Sequence, residues 1–238
     1  MGFAKVGKST SIIISLADTF GQGYVFCCGD KSGMSPAARR TKKFLYDIVR
    51  DETDMEAAIT FARDGVKKGE YKWLFVDDFS LYASYLEGAL RDASAAQNKS
   101  REPDGRRYWP EFKQRLLNIP RRLFDIKAHV VFSSHYIEPS PEIVDPKTGN
   151  AQRAKAGRGI LPMIGGSARE EMPALFHDVI FMEKDGTDRR VFKVNPEGVW
   201  GPGCRNVDGT HEIDADFAAF MQLIADTEKR AEKEIRKR

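Results

Sequence analysis

The sequence predicts an α/β domain with a mainly parallel sheet flanked by helices and a C-terminal β-hairpin. Three observations predict it. Apolar runs of strand length, each ending in small or polar residues, recur at 23–28, 73–78 and 129–135. Segments with apolar residues at helical spacing separate them, the alternation that layers helices on a parallel sheet. Ahead of all of them, Gly2, Gly7, Lys8 and Ser9 fit G-x-x-x-x-G-K-[ST], the spacing of a phosphate-binding loop.

Composition is compatible with that class and excludes others. The chain has 238 residues, with 38 Lys and Arg against 35 Asp and Glu, a formal charge of +3. The hydrophobic set is 41% and charged residues are 31%, ordinary for a globular domain large enough to bury a core. Collagen-like, disulfide-scaffold and wholly disordered chains are thereby excluded. No apolar run approaches the roughly 18 residues of a membrane span, so no membrane partner is expected. The opening residues lack the apolar core of a signal peptide. Cys27, Cys28 and Cys204 show no C-x-x-C or Cys/His ligand spacing, so reduced thiols and a cytoplasmic location are expected.

The opening stretch is Gly2, Phe3, Ala4, Lys5, Val6, Gly7, Lys8, Ser9 and Thr10. Glycines at both ends permit the backbone angles that turn successive N–H groups inward around phosphate oxygens. Lys8 then reaches the outer phosphates, and the Ser9 hydroxyl takes a magnesium position. The following run, 11–17, makes a buried helix whose N-terminus faces the anion. Such a pattern arises by chance in about one chain in a hundred of this length; the plain alternative is a Gly turn beside a surface lysine. The loop ordinarily follows a buried strand. Only Met1 stands ahead of Gly2. The first strand is therefore expected to be missing, or its sheet position to be filled by another segment.

Residues 23–28 form a covered strand that stops at a turn holding Asp30. A further strand is read at 44–49. Thr53 is the expected N-cap of a helix from about 54 to 67, with Met55, Ala58, Ile59 and Ala62 at helical spacing. Residues 73–78 read Trp-Leu-Phe-Val-Asp-Asp, a core strand delivering two carboxylates to its C-terminal end. Following a phosphate loop, that shape puts Asp77 in the magnesium shell beside Ser9. Helices are expected at 81–95 and 107–127, the second kinked or divided at Pro120. The strand 129–135 ends in Ser133, Ser134 and His135. His135 is read either as a sensor of the γ-phosphate or as a strand-end histidine bonded to a loop.

Residues 136–166 contain four prolines and scattered glycines and are expected to form a long loop. Between Pro146 and Arg169 every charge is basic, and the window 98–165 holds 13 basic against 7 acidic residues. A basic mobile loop over 136–169, with Lys147, Arg153, Lys155 and Arg158, suits a polyanion, although solvated charge runs are common. Strand-like pieces at 179–182 and 190–194 flank Asp185-Gly186, a hairpin signal. A helix is expected at 213–224, and 227–238 reads as a charged tail behind a domain spanning 1–226. Internal repeats and coiled-coil heptads are absent from the pattern.

Taken in order, these motifs resemble the RecA-like P-loop ATPases of the AAA group found in phage genomes, which include proteins similar to single-strand-annealing recombinases. The residues carrying the likeness are Gly2 to Ser9 with Lys5, Leu74-Phe75-Val76-Asp77-Asp78, and Val130 to His135. The resemblance implies ATP and Mg²⁺, hydrolysis, single-stranded DNA as partner, and a homo-oligomer. It places Asp30 where such folds carry the carboxylate that activates water; Asp78 competes for that role. It makes His135 the polar sensor and Arg205 an arginine offered to a neighbouring subunit. It also makes the loop 146–169 a DNA-contacting element, although no aromatic residue there can stack on bases. The alternatives are an ATP-dependent switch or phosphotransferase that does not act on DNA, and a non-catalytic interaction protein.

Overall fold

The computed structural model describes residues 8–29, 34–98, 103–137, 142–144, 151–153, 161–195 and 203–235. The first strands and helices alternate: α1 (Lys8–Phe20), β1 (Gly23–Cys28), α2 (Met34–Arg40), β2 (Phe44–Val49), α3 (Glu52–Lys67) and β3 (Trp73–Asp77). Two longer helices, α4 (Phe79–Gln97) and α5 (Gly105–Phe124), then lead to β4 (His129–Phe132). The four strands form one parallel sheet in the order β2-β1-β3-β4. This is the expected α/β class, and β2 lies where the sequence placed it.

Strand alternation divides the core in two. On β1 and β3, Val25, Cys27, Trp73 and Phe75 face α1, with Ile13, Leu16 and Ala17 packed against them. Tyr24, Phe26, Leu74 and Val76 face the opposite way, onto α3, α4 and α5 through Met55, Ile59, Phe79, Leu86 and Phe112. With both faces covered, β1 and β3 are buried at every residue, which is why they read as continuous apolar runs. Gly21 closes α1 with a φ of 88° and returns its N–H to the Ala17 carbonyl at 3.1 Å, so the chain turns directly into β1.

Several local expectations are corrected. The N-cap of α3 is Asp51, whose carboxylate accepts from Asp54 N–H at 2.8 Å; Thr53 lies inside the helix. A carboxylate caps better than threonine and also favours the positive helix end. The helix α5 runs unbroken through Pro110 and Pro120. Pro120 is buried, as are Leu116, Leu117 and Leu123 of the same helix, and burial of that face outweighs the lost backbone hydrogen bond. Residues 136–166 are not wholly irregular: β5 (Tyr136–Ile137) pairs with β8 (Leu161–Pro162), and β6 (Glu142–Val144) pairs with β7 (Ala151–Arg153), both antiparallel.

After α6 (Ala168–Glu171) and a 3₁₀ turn over Met172–Leu175, the expected hairpin forms from β9 (Phe181–Lys184) and β10 (Arg190–Val194). Its turn is organised by Asp185, which accepts from Thr187 and Arg189, bonds that hold the carboxyl down at about 2. A third strand, β11 (His211–Asp214), adds to β10, and α7 begins only at Phe217 and runs to Ile235. The helix expected from 213 is therefore strand at its start. Asp216 sets the boundary by capping Ala218 N–H at 3.0 Å and accepting from Ser15 of α1 at 2.7 Å. Residues 227–235 continue α7. No helix among the described residues is long and apolar enough to cross a membrane.

Candidate nucleotide site

Parallel strands all point their C-terminal ends the same way, and ligands in such sheets collect at that edge. Here β3 ends at Asp77, β4 continues into Ser133-Ser134-His135, and α1 begins at Lys8. These three ends bring together residues more than a hundred positions apart in sequence. Lys8 Nζ lies 3.9 Å from Asp78 Oδ2, 3.1 Å from His135 Nδ1 and 3.5 Å from the Ser134 carbonyl. His135 Nε2 reaches Asp78 Oδ2 at 3.0 Å. With ammonium on one side and carboxylate on the other, a neutral imidazole accepts at Nδ1 and donates at Nε2, which fixes its tautomer.

Asp77 and Asp78 have separate surroundings. Asp77 accepts from the hydroxyls of Ser133 and Ser9. Asp78 caps α4, its Oδ1 taking the Ser80 N–H at 2.8 Å and the Ser80 hydroxyl. The Ser80 hydroxyl in turn accepts from His135 N–H at 3.2 Å. Lys8, Asp77 and Asp78 are all buried. Burial pushes the Asp77 carboxyl up, against the two serine hydroxyls that favour its anion. Burial likewise pulls the Lys8 ammonium down from 10.5, a shift opposed by Asp78 and Asp77.

The raised Asp77 carboxyl has a measurable consequence. A carboxyl that holds its proton more tightly when folded contributes stability below pH 3.8, and that contribution is lost as pH rises through the raised value. Asp77→Asn removes the titration, so its melting temperature should gain on that of the unsubstituted chain as pH rises across that window. Parallel melting curves from pH 4 to 8 check this; a constant difference between the two proteins contradicts it.

Of the residues expected in the site, Lys8, Ser9, Asp77, Asp78 and His135 are brought together. Gly2, Phe3, Ala4, Lys5, Val6, Gly7 and Asp30 lie outside the described residues, as do Lys147, Lys155 and Arg158. Thr10 lies in the first turn of α1, and Arg153 in β7. Arg205 stands in an exposed turn beyond Cys204, its guanidinium donating to the Ala174 carbonyl at 3.2 Å. Sequence reasoning missed Ser80 and Ser133 as partners of the two carboxylates. Ser80 follows Asp78 by two positions, the spacing of an Asx cap, which was the available signal.

The donor set fits a magnesium–nucleotide. Ser9 and Asp77 offer hard oxygens at hydrogen-bond distance from one another, and Mg²⁺ in such sites takes few protein ligands because phosphates and waters supply the rest. No group of three or more His, Cys, Asp or Glu that would cage a metal occurs among the described residues. The three cysteines are buried and none is in a disulfide.

Fold and site thus define an α/β protein with a basic helix N-terminus set against paired strand-end carboxylates. Compared with known proteins, the chain matches no family model and no curated protein. Among solved structures it is similar to a KaiC-like protein from the hyperthermophilic archaeon Pyrococcus horikoshii OT3. That likeness has a TM-score of 0.40 and 10% identity, covering 89% of this chain and 82% of the other.

Proposed function

We propose that this protein binds and hydrolyses ATP with Mg²⁺ and acts in phage DNA metabolism, in single-strand recombination or annealing. The observation that carries the nucleotide part is the convergence of Lys8, Ser9, Asp77, Asp78 and His135 at one sheet edge. Lys8, with the N–H groups opening α1, binds and orients the β- and γ-phosphates. Ser9 and Asp77 hold the magnesium, which neutralises charge developing on the phosphates. Asp78 orients the attacking water and takes its proton, with Asp30 as the competing carboxylate. His135 touches both Lys8 and Asp78, so it registers any displacement of the lysine by a γ-phosphate. Arg205 acts in a neighbouring copy of a homo-oligomer, which makes an isolated copy slow.

The DNA part rests on the basic excess of 98–165, with Lys147, Arg153, Lys155 and Arg158 as phosphate contacts. Its test is ATP hydrolysis by the purified protein with and without single-stranded DNA. Turnover rising with DNA, and DNA binding that weakens steeply with salt, is the expected result. Turnover indifferent to DNA moves the reading to an ATP-driven switch or phosphotransferase. Absence of ATP binding sinks the nucleotide reading and leaves an interaction protein.

A further inference from the structure

Parallel strands need crossover helices, so the end of the sheet opposite the nucleotide site collects strand starts and helix ends. The pairing register makes that end level. Phe44 and Trp73 both stand opposite Gly23, and His129 stands opposite Trp73. Lys43 and Lys72 therefore occupy equivalent positions just ahead of β2 and β3, and Lys127 lies two residues ahead of β4. Backbone hydrogen bonds hold this alignment. The Lys43 carbonyl accepts from Gly23 N–H at 3.1 Å, Lys72 N–H donates to the Gln22 carbonyl at 2.8 Å, and the Lys72 carbonyl accepts from His129 N–H at 3.1 Å. Neighbouring strands lie about 4.8 Å apart, so Lys43 and Lys72, with β1 between them, stand about 10 Å apart along the row.

All three lysines are exposed, and none forms an ion pair among the described residues. The ends of two helices add to the row: Arg39 and Arg40 in the last turn of α2, and Lys67 and Lys68 at the end of α3, are exposed as well. A base at the end of a helix complements the helix dipole, which accounts for those four. It does not account for lysines that precede strands. The carboxylates nearest to them in sequence, Asp47, Glu70 and Asp125, pair with none of the three. At the β4 end of the row His129 is exposed, its ring stacked on Phe20 with centroids 4.0 Å apart. Burial holds its pKa below 6.5, so the ring is a neutral aromatic surface at pH 7.

We infer that this row of strand-start lysines binds the phosphates of single-stranded DNA, with a base stacked on His129. Ammonium groups set side by side at sheet spacing, without carboxylates to neutralise them, follow one sugar–phosphate backbone. An aromatic ring at the end of such a row is the other half of a single-strand site, because only an unpaired base presents its face for stacking. Single-stranded DNA as the occupant rests on the DNA reading above. The surface itself uses neither the Lys8 group nor Lys147, Arg153, Lys155 and Arg158. The five residues of β3, at about 3.3 Å each, set it about 16 Å from Asp77, so DNA held here leaves the nucleotide site open.

The test is equilibrium binding of a fluorescent oligothymidylate of about 20 nucleotides to the full chain across a salt series, without nucleotide. The triple variant Lys43→Ala, Lys72→Ala, Lys127→Ala should bind about tenfold or more weakly at low salt. Its plot of log affinity against log salt should be shallower by about 2, since each phosphate contact on a single strand contributes about 0.7. His129→Ala should weaken binding about fivefold or more with the slope unchanged, and His129→Phe should keep the affinity. If the triple variant melts early, the three single variants decide, each expected to lower the slope by about 0.7. Unchanged affinity and slope in the lysine variants overturn the inference. If substituting Lys147, Arg153, Lys155 and Arg158 with alanine abolishes binding in that case, the DNA reading stands without it. A chain that binds no oligothymidylate overturns both. So does binding confined to phosphatidylserine vesicles and lost in the lysine variants, which makes a lipid surface the occupant.

Discussion

Lys8→Met should abolish ATP turnover and weaken ATP binding by about 10- to 100-fold, while the protein stays folded. The binding loss is that of one charge-assisted hydrogen bond to phosphate, about 1.5–3 kcal/mol. The fold should tolerate the change because burial already disfavours the ammonium, whose pKa lies below 10.5 despite two neighbouring carboxylates. Asp78 keeps Ser80 and His135 as partners when the lysine is gone. A methionine of similar length fills the same buried channel. The pH dependence gives a second readout. The unfolded chain holds a proton that folded Lys8 releases, so folding stability rises with pH between the lowered value and 10.5. Lys8→Met should flatten that rise. Unchanged turnover in the variant would sink the nucleotide assignment; a collapsed fold would show that Lys8 is structural. Equilibrium ATP binding, turnover and melting curves on the same preparation separate these outcomes.

Trp73→Ala should produce the largest loss of stability, about 3–5 kcal/mol, or a melting temperature lower by about 6–20 °C. Trp73 has no exposed surface, and its indole N–H donates to the Gly21 carbonyl at 2.8 Å. The ring lies flat against Gly23, where an added Cβ would stand 2.0 Å from its Cε2. It therefore couples the turn closing α1, the first residue of β1 and the first residue of β3. Truncation empties that volume and orphans a carbonyl where α1 joins the sheet. Trp73→Phe keeps most of the packing and loses the hydrogen bond, so its cost should be clearly smaller. Thermal unfolding followed by circular dichroism checks both; a loss under about 3 °C for the alanine variant would contradict the packing described here.

How far the sequence reveals this site depends on the range of the interaction involved. Lys8, Ser9, Asp77 and His135 are legible because each is tied to a local pattern: a loop spacing, or the polar end of an apolar run. The caps were less legible. Thr53 and Asp51 are both capping residues within one turn, and only the backbone path selects Asp51. Pro120 reads as a breaker because the propensity of proline is local, whereas α5 continues through it because the face that carries Leu116, Leu117, Pro120 and Leu123 is buried. The helix expected from residue 213 begins instead as strand because four residues are too short to show a period of their own; pairing with β10 makes His211–Asp214 a strand.

By itself the sequence determined the α/β class, the alternation of strands and helices, and the identities of the charged residues at the sheet edge. Those follow from side-chain periodicity and backbone propensity within windows of ten to twenty residues. Only the tertiary structure decided that His135 bridges Lys8 and Asp78, that Ser133 and Ser9 share Asp77, and that Lys43, Lys72 and Lys127 line one end of the sheet. Each of these joins elements distant in sequence. Strand order and crossover, set by how both faces of the sheet are buried, fix which ends meet, and no local pattern encodes that meeting.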